Sequence, residues 1–132
     1  MAYLLDTCVI SDFSRGDPNT LQKLKTTPPI EIFISAVTCM EVYYGFKLNP
    51  NRAAKIQSVI NSLLASVTVL PFDIKSAKQA AHIRCVLKTA GTPIGAYDVL
   101  IAATALVHGL TAVTSNVREF QRVSGLEIEN WR

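Results

Sequence analysis

The sequence contains little that would mark a secreted, membrane-spanning or disulfide-stabilised protein. Its three cysteines, Cys8, Cys39 and Cys85, form no C-x-x-C pair, so we expect reduced core thiols and neither a disulfide framework nor a zinc site. The start, MAYLLDTCVIS, has no basic segment and reaches an acid at position 6, which argues against a secretory signal. The most apolar run, residues 99–107, is far shorter than the roughly 20 residues of a membrane span. These absences predict a cytoplasmic protein with no membrane association.

Charged residues are also scarce, at 17% of the chain, while hydrophobic residues make up 49%. This balance is typical of a compact globular chain and excludes a disordered one. A length of 132 residues is sufficient for a real core and fits a single domain over residues 1–132. The formal net charge of +3 is mildly basic, which is compatible with a polyanionic partner.

Short β-branched segments alternate with longer helical ones along the whole chain. The apolar patterns and capping residues predict strands at 2–5, 30–35, 67–72, 111–116 and 125–131, the last at a sheet edge. Between them, helices are predicted at 7–15, 17–27, 36–48, 50–66, 73–91, 96–109 and 117–123. This order predicts an α/β fold of three layers, with a mostly parallel sheet of four to five strands covered by helices on both faces.

Three carboxylates stand alone in otherwise uncharged segments. Asp6 is the only charged side chain in residues 1–11, Glu41 the only one in 32–46, and Asp98 the only one in 89–117. Asp6 could simply cap the following helix, and Asp98 could be a first-turn acid that interacts with a helix dipole. Glu41, in the middle of a helix, has no such explanation. Because burying an unpaired carboxylate is costly, three together favour a functional site.

These acids converge if the first and fourth strands are neighbours in the sheet. Ligands bind beyond the carboxyl ends of parallel strands where the strand order reverses, and Asp6 and Asn116 both follow strands. Carboxylate and amide oxygens suit Mg²⁺ or Mn²⁺, ions that polarise a phosphodiester and activate water. The sequence therefore predicts a metal site made by Asp6, Glu41 and Asp98. Among the basic residues, Arg84 is the preferred candidate for a phosphate contact, since its helix leads into the Asp98 segment.

Four stretches, in this order and spacing, resemble a PIN-domain ribonuclease toxin of the VapC type: YLLDTCVIS, ISAVTCMEVYYG, GTPIGAYDVLIAATALVHGL and AVTSNVREFQRVSGLEIENW. The resemblance implies a PIN-like fold and a Mg²⁺-dependent endoribonuclease acting on RNA, possible substrates being tRNA or rRNA. It also implies a homodimer and inhibition by a DNA-binding, VapB-like antitoxin. The family's catalytic acids fall on Asp6, Glu41 and Asp98, its polar position after strand four falls on Asn116, and Glu119 is a nearby outer-shell acid. Cys8 departs from the Asn or Ser that the family usually has.

Two other functions remain open from the residues alone. The chain could be a catalytically weak PIN-fold partner that mainly holds a DNA-binding antitoxin, although the presence of all three acids argues against this. A related metal–carboxylate site could also cut DNA. Phosphatases of the haloacid-dehalogenase type and response-regulator receivers are disfavoured, because the former need a second Asp where Cys8 stands and the latter an acidic pair after strand one.

Overall fold

The computed structural model describes all 132 residues and contains five strands and seven α-helices. The strands are β1 (Tyr3–Leu5), β2 (Ile32–Ser35), β3 (Thr68–Leu70), β4 (Thr111–Val113) and β5 (Ile128–Glu129). The helices are α1 (Thr7–Arg15), α2 (Pro18–Thr26), α3 (Ala36–Leu48), α4 (Pro50–Ser66), α5 (Ile74–Thr89), α6 (Ala96–His108) and α7 (Val117–Phe120). All the predicted elements are present, so the predicted α/β fold is confirmed.

The five strands form one parallel sheet in the order β3-β2-β1-β4-β5. Strands β1 and β4 are hydrogen-bonded neighbours, with Leu5 opposite Val113, as the convergence of the acids requires. From β1 the chain adds β2 and β3 towards one edge of the sheet, and it then returns to add β4 and β5 towards the other edge. The strand order therefore reverses between β1 and β4. A ligand site is expected beyond this point.

Helices cover both faces of the sheet, and successive strand residues pack into different cores. Leu4 and Ala112 belong to a core formed with α5 and α6. Leu5 and Val113 belong to a second core, which includes residues of α1 and α4. This alternation follows from the two-residue period of a strand and produces the three-layer architecture. No helix combines the length and apolar character needed to cross a membrane.

Helix α6 confirms the prediction of a buried helix, since Val99 and the residues from Ile101 to Ala105 are almost completely buried. It ends at Gly109, whose φ of 65° lies in the left-handed region that favours glycine. Its buried body fixes the position of its first turn, where Asp98 lies at the edge of the core. The helix therefore holds Asp98 in a defined place.

The predictions for the strand ends and for the cysteines need correction. All five strands are shorter than predicted, and β5 has only two residues. The residues beside β2 and β4 adopt other structure, since Pro29–Glu31 form a 3-10 turn and Asn116 is the N-cap of α7. All three cysteines are free, as expected. Cys8 and Cys39 are partly buried and pack against the second core, whereas Cys85 is exposed, so the prediction of a core thiol was wrong for Cys85 alone. Cys85 lies on the outer side of α5, which packs through Ile83 and Leu87 instead.

Candidate active site

Asp6 lies where β1 ends and α1 begins, and its side chain is 5% exposed. Its Oδ1 accepts a hydrogen bond from the Thr7 N–H at 2.7 Å. Its Oδ2 accepts from the Thr114 hydroxyl at 2.8 Å and from the Cys8 thiol at 3.3 Å. Burial and the neighbouring Asp6 charge raise the pKa of the Cys8 thiol, which therefore remains a donor. Three donors thus hold the carboxylate at the carboxyl end of β1.

The end of β4 is joined to Asp6 through Thr114, which is completely buried. Its hydroxyl oxygen donates to Asp6 and also accepts a hydrogen bond from the Asn116 N–H at 2.9 Å. The Ser115 N–H donates to the sulfur of Cys8 at 3.3 Å. These bonds fix the short loop after β4 against the start of α1, and they set the position of Asn116.

Glu41 is half-buried on α3, about one and a half turns after its start. Its Oε1 accepts a hydrogen bond from the Thr7 hydroxyl at 2.6 Å, and the Thr38 hydroxyl lies 3.3 Å from that of Thr7. Thr7 therefore links Glu41 to the residue next to Asp6. Helix α3 also lies against α1 and α6, so Glu41 faces the same region as the other two acids.

Asp98 is half-buried in the first turn of α6. Burial raises the pKa of its carboxyl to about 7, with further contributions from the charges of Asp6, Glu119 and Glu41 and from a hydrogen bond with Glu119. The dependence on Asp6 and Glu41 indicates that the three predicted acids share one electrostatic environment. Like charges held close together raise one another's pKa in this way when no cation lies among them.

Asn116 connects Asp98 to a fourth acid, Glu119. Its side-chain Nδ2 donates to Asp98 Oδ2 at 3.2 Å and also to Glu119 Oε2. The Glu119 carboxylate additionally accepts from the backbone N–H of Gly95 at 2.9 Å. The bond from Asn116 is the main reason why the pKa of Glu119 is lowered. The amide nitrogen, and not the amide oxygen considered from the sequence, therefore faces the carboxylates.

The sequence interpretation treated Glu119 as an outer-shell acid and did not assign roles to Thr7, Thr38 or Thr114. The three-residue spacing from Asn116, the N-cap of α7, to Glu119 is a signal that could have indicated the contact between their side chains. The threonines carried no such signal, because buried Thr is common in any core. Arg84 lies elsewhere: it is exposed on α5 and lines a groove between α5 and α6, without direct contact with the acids.

The four acids have the chemistry of ligands for a divalent metal ion. None of the four acids forms an ion pair with Lys or Arg, and their oxygens are the hard ligands that Mg²⁺ or Mn²⁺ prefer. No three His, Cys, Asp or Glu side chains lie close enough to form a complete ligand set as they stand. The chemistry of the unpaired carboxylates fits the ion.

The chain is similar to known proteins over nearly its whole length. The family model described as "PIN domain" matches residues 3–126. The tRNA(fMet)-specific endonuclease VapC of Salmonella typhimurium is 33% identical over 133 residues, covering 99% of this chain and 98% of that protein. Ribonuclease VapC2 of Haemophilus influenzae is 32% identical over 131 residues, with the same coverage.

Among solved structures, a DNA-bound VapBC from Salmonella typhimurium matches with a TM-score of 0.91 and 31% identity. The match covers 100% of this chain and 99% of the chain in that structure. The family model, the full-length relatives and the structure agree in fold and extent. The chain therefore belongs to the PIN-domain family and, within it, to the VapC ribonucleases.

Proposed function

We propose that this chain is a divalent-metal-dependent endoribonuclease that acts as the toxin of a type II toxin–antitoxin system. Residues 1–132 work as one PIN domain in this proposal. The observation that carries it is the set of acids around Asp98: none is paired with a cation, and burial and mutual repulsion raise the pKa of Asp98 to about 7. Such a site is completed by a hard metal ion.

In this mechanism Asp6, Glu41 and Asp98 would hold Mg²⁺ or Mn²⁺. When bound, the ion would supply Lewis-acid polarisation of the scissile phosphate and would lower the pKa of an attacking water. Asp6 is oriented by Thr7, Thr114 and Cys8. Asn116 spans Asp98 and Glu119, so it orients both acids without adding charge. We expect in-line attack at phosphorus to leave 5′-phosphate and 3′-hydroxyl ends.

Carboxylate-to-amide substitutions test the proposal. Asp6→Asn and Asp98→Asn should each abolish cleavage of loop-containing RNA in Mg²⁺ or Mn²⁺, and EDTA should stop the wild type. Asp73→Asn is the matched control, because Asp73 only caps α5 through the Ser76 N–H and Asn caps equally well. Cleavage without metal, or full activity in Asp98→Asn, would contradict the mechanism. A folded wild type that cleaves neither RNA nor DNA would instead favour the catalytically weak binding module.

The proposed partner is a VapB-like antitoxin, supported by the structural likeness to VapBC. A groove of about 350 Å³ is lined by fourteen residues that include Glu41, and six of them are hydrophobic, among them Ile10, Phe46 and Ile60. An antitoxin could fill this groove with an apolar segment while a basic side chain neutralises the acids. We expect the chain alone to be toxic and poorly expressed, and the complex to be recovered. Harmless overexpression without a co-purifying neighbour would argue against this partner.

The substrate and the assembly are parts of the same proposal. Because the Salmonella relative is named a tRNA(fMet)-specific endonuclease, we propose a structured RNA with an exposed loop, with tRNA tested first and rRNA second. Mapping new RNA ends after brief induction would identify the cut site. A homodimer in solution is proposed from family membership, and light scattering of the purified chain measures it.

A further inference from the structure

A second open groove, the α5–α6 groove, lies between helices α5 and α6 and has a volume of about 770 Å³. Of its thirteen lining residues ten are hydrophobic and none is Asp or Glu. Small side chains of α5, such as Ala77 and Ala81, leave the groove open, and Ile94 and Pro93 belong to its lining from the loop before α6. An apolar groove of this size can receive a planar ring.

The polar side chains of the α5–α6 groove are cationic. Arg84 and Lys88 line it, are both exposed, and lie four residues apart, so they share one face of α5. Neither forms an ion pair. Helix α5 contains no Asp or Glu at all. A negatively charged occupant would therefore find two free cations and no opposing charge along this wall.

Tyr97 connects the α5–α6 groove to the candidate active site. It lines the groove, is 49% exposed, and immediately precedes Asp98 in the first turn of α6. The loop before it is held at two points, because Arg122 donates to the Pro93 carbonyl at 3.0 Å and the Gly95 N–H donates to Glu119 at 2.9 Å. The aromatic ring is thus presented from a fixed turn next to the acids.

We propose that the α5–α6 groove binds the single-stranded RNA that flanks the scissile phosphate, with a base stacked on Tyr97 and phosphates bound by Arg84 and Lys88. Aromatic rings beside basic side chains bind single strands in this manner. The inference rests on the proposed ribonuclease function and identifies where its substrate lies. A second copy of the chain fits less well, since α5 offers no carboxylate to pair with another copy's Arg84 and Lys88.

Binding is measured without cleavage, by fluorescence anisotropy of a labelled single-stranded RNA of roughly 12 nucleotides in EDTA. Tyr97→Ala should weaken binding by about 10-fold, whereas Tyr97→Phe, which keeps the ring, should bind like the wild type. The matched control is Tyr43→Ala, because Tyr43 is equally exposed at 48% and lies on α3 outside the groove. Light scattering on every variant reports its oligomeric state.

Salt dependence separates the cations from the ring. Arg84→Ala should reduce the slope of log K against log salt by about 0.7, the value for one lost phosphate contact on a single strand. Lys25→Ala on α2 is its control, and Tyr97→Ala should leave the slope unchanged.

Wild-type affinity in Tyr97→Ala would overturn the inference, and so would a change of oligomeric state that accompanies the loss of binding. A wild type that does not bind the labelled RNA would also overturn the inference, while cleavage of tRNA or rRNA in Mn²⁺ by the same protein would leave the proposed function standing. Tyr97-dependent binding without any cleavage in Mn²⁺ would support the inference and contradict the proposed function alone.

Discussion

At the scale of single residues, the lone acids had two simpler explanations: helix capping for Asp6 and interaction with a helix dipole for Asp98. Asp6 does cap α1, since it accepts a hydrogen bond from the Thr7 N–H. It also accepts hydrogen bonds from the side chains of Cys8 and Thr114, which a helix cap does not need. An acid stabilised mainly by the helix dipole would have a lowered pKa. Asp98 has the opposite shift, to about 7. Capping and dipole effects therefore do not account for these positions.

Thr114 is the residue whose role is tested most simply. Thr114→Val keeps the shape but removes the donor to Asp6 and the acceptor for the Asn116 N–H. Because partners that orient ligating carboxylates typically contribute 10–100-fold to metal affinity or activity, we expect the ribonuclease activity to fall by about 10-fold or more. Thr114→Ser should restore it. If Thr114→Val had the activity of the wild type and the same response to Mn²⁺, Thr114 would not be a residue that positions Asp6.

At the scale of secondary-structure elements, α1 is fixed at both ends. Its first turn carries Asp6 and Thr7, and its later part carries Asp12, which is only 3% exposed. Asp12 Oδ1 lies 2.7 Å from Arg15 and 2.8 Å from Arg132. These arginines, Arg132 foremost, hold the pKa of Asp12 below its ordinary value. The residues after β5 are thus tied to the helix that supports the site.

Asp12→Asn should lower the stability of the protein by about 1.5–3 kcal/mol, the range for a hydrogen bond to a charged group, or roughly 5–15 °C in melting temperature. Since the folded-state pKa is depressed, the contribution of Asp12 is present above the ordinary Asp range and is lost as the pH falls through the folded pKa. The difference between the two proteins should therefore shrink in acid. Asp17→Asn, at the N-cap of α2, is the control, and equal melting of wild type and Asp12→Asn at neutral pH would contradict the assignment.

The sequence predicted elements better than contacts. The period of apolar residues and caps such as Ser35 and Asp73 act locally, which is why the helices were predicted closely and the acids could be placed at strand ends. The Thr114–Asp6 bond joins residues 108 positions apart, and no local pattern encodes it. Likewise, the bridge from Asn116 to Asp98 depends on how the loop after β4 folds, so the orientation of its amide was not predictable.

At the scale of the whole molecule, charge is distributed unevenly. The chain carries a net charge of +3, yet four acids near the carboxyl ends of β1 and β4 form no ion pair with Lys or Arg: Asp6, Glu41, Asp98 and Glu119. The charged side chains of α5, which packs against α6, are all basic. An acidic centre next to a basic surface is an arrangement suited to a divalent ion at the centre and an RNA backbone around it. In the proposed function, Asp6, Glu41 and Asp98 hold that divalent ion.

The stability of the metal-free protein should depend on pH through Asp98. The folded-state pKa of Asp98 is about 7, raised from an ordinary value of 3.8, so between these values the folded state holds a proton that the unfolded state has lost. Metal-free stability should therefore fall as the pH rises through this window. At pH 8 the Asp98 carboxyl is mostly ionised, so the repulsion among the acids is greater than at lower pH and a bound cation should relieve it more.

The most direct test is the melting temperature of the wild type and of Asp98→Asn at pH 8, with and without millimolar Mn²⁺. At a hundredfold excess over Kd, an ion that binds only the folded state stabilises it by about 2–3 kcal/mol, so the wild type should melt roughly 6–15 °C higher with Mn²⁺. Without metal, Asp98→Asn should melt no lower than the wild type, because one repelling charge is gone, and its response to Mn²⁺ should largely disappear. A wild type that does not respond to Mn²⁺, together with a variant that melts lower than it without metal, would contradict the metal site and leave Asp98 a purely structural residue.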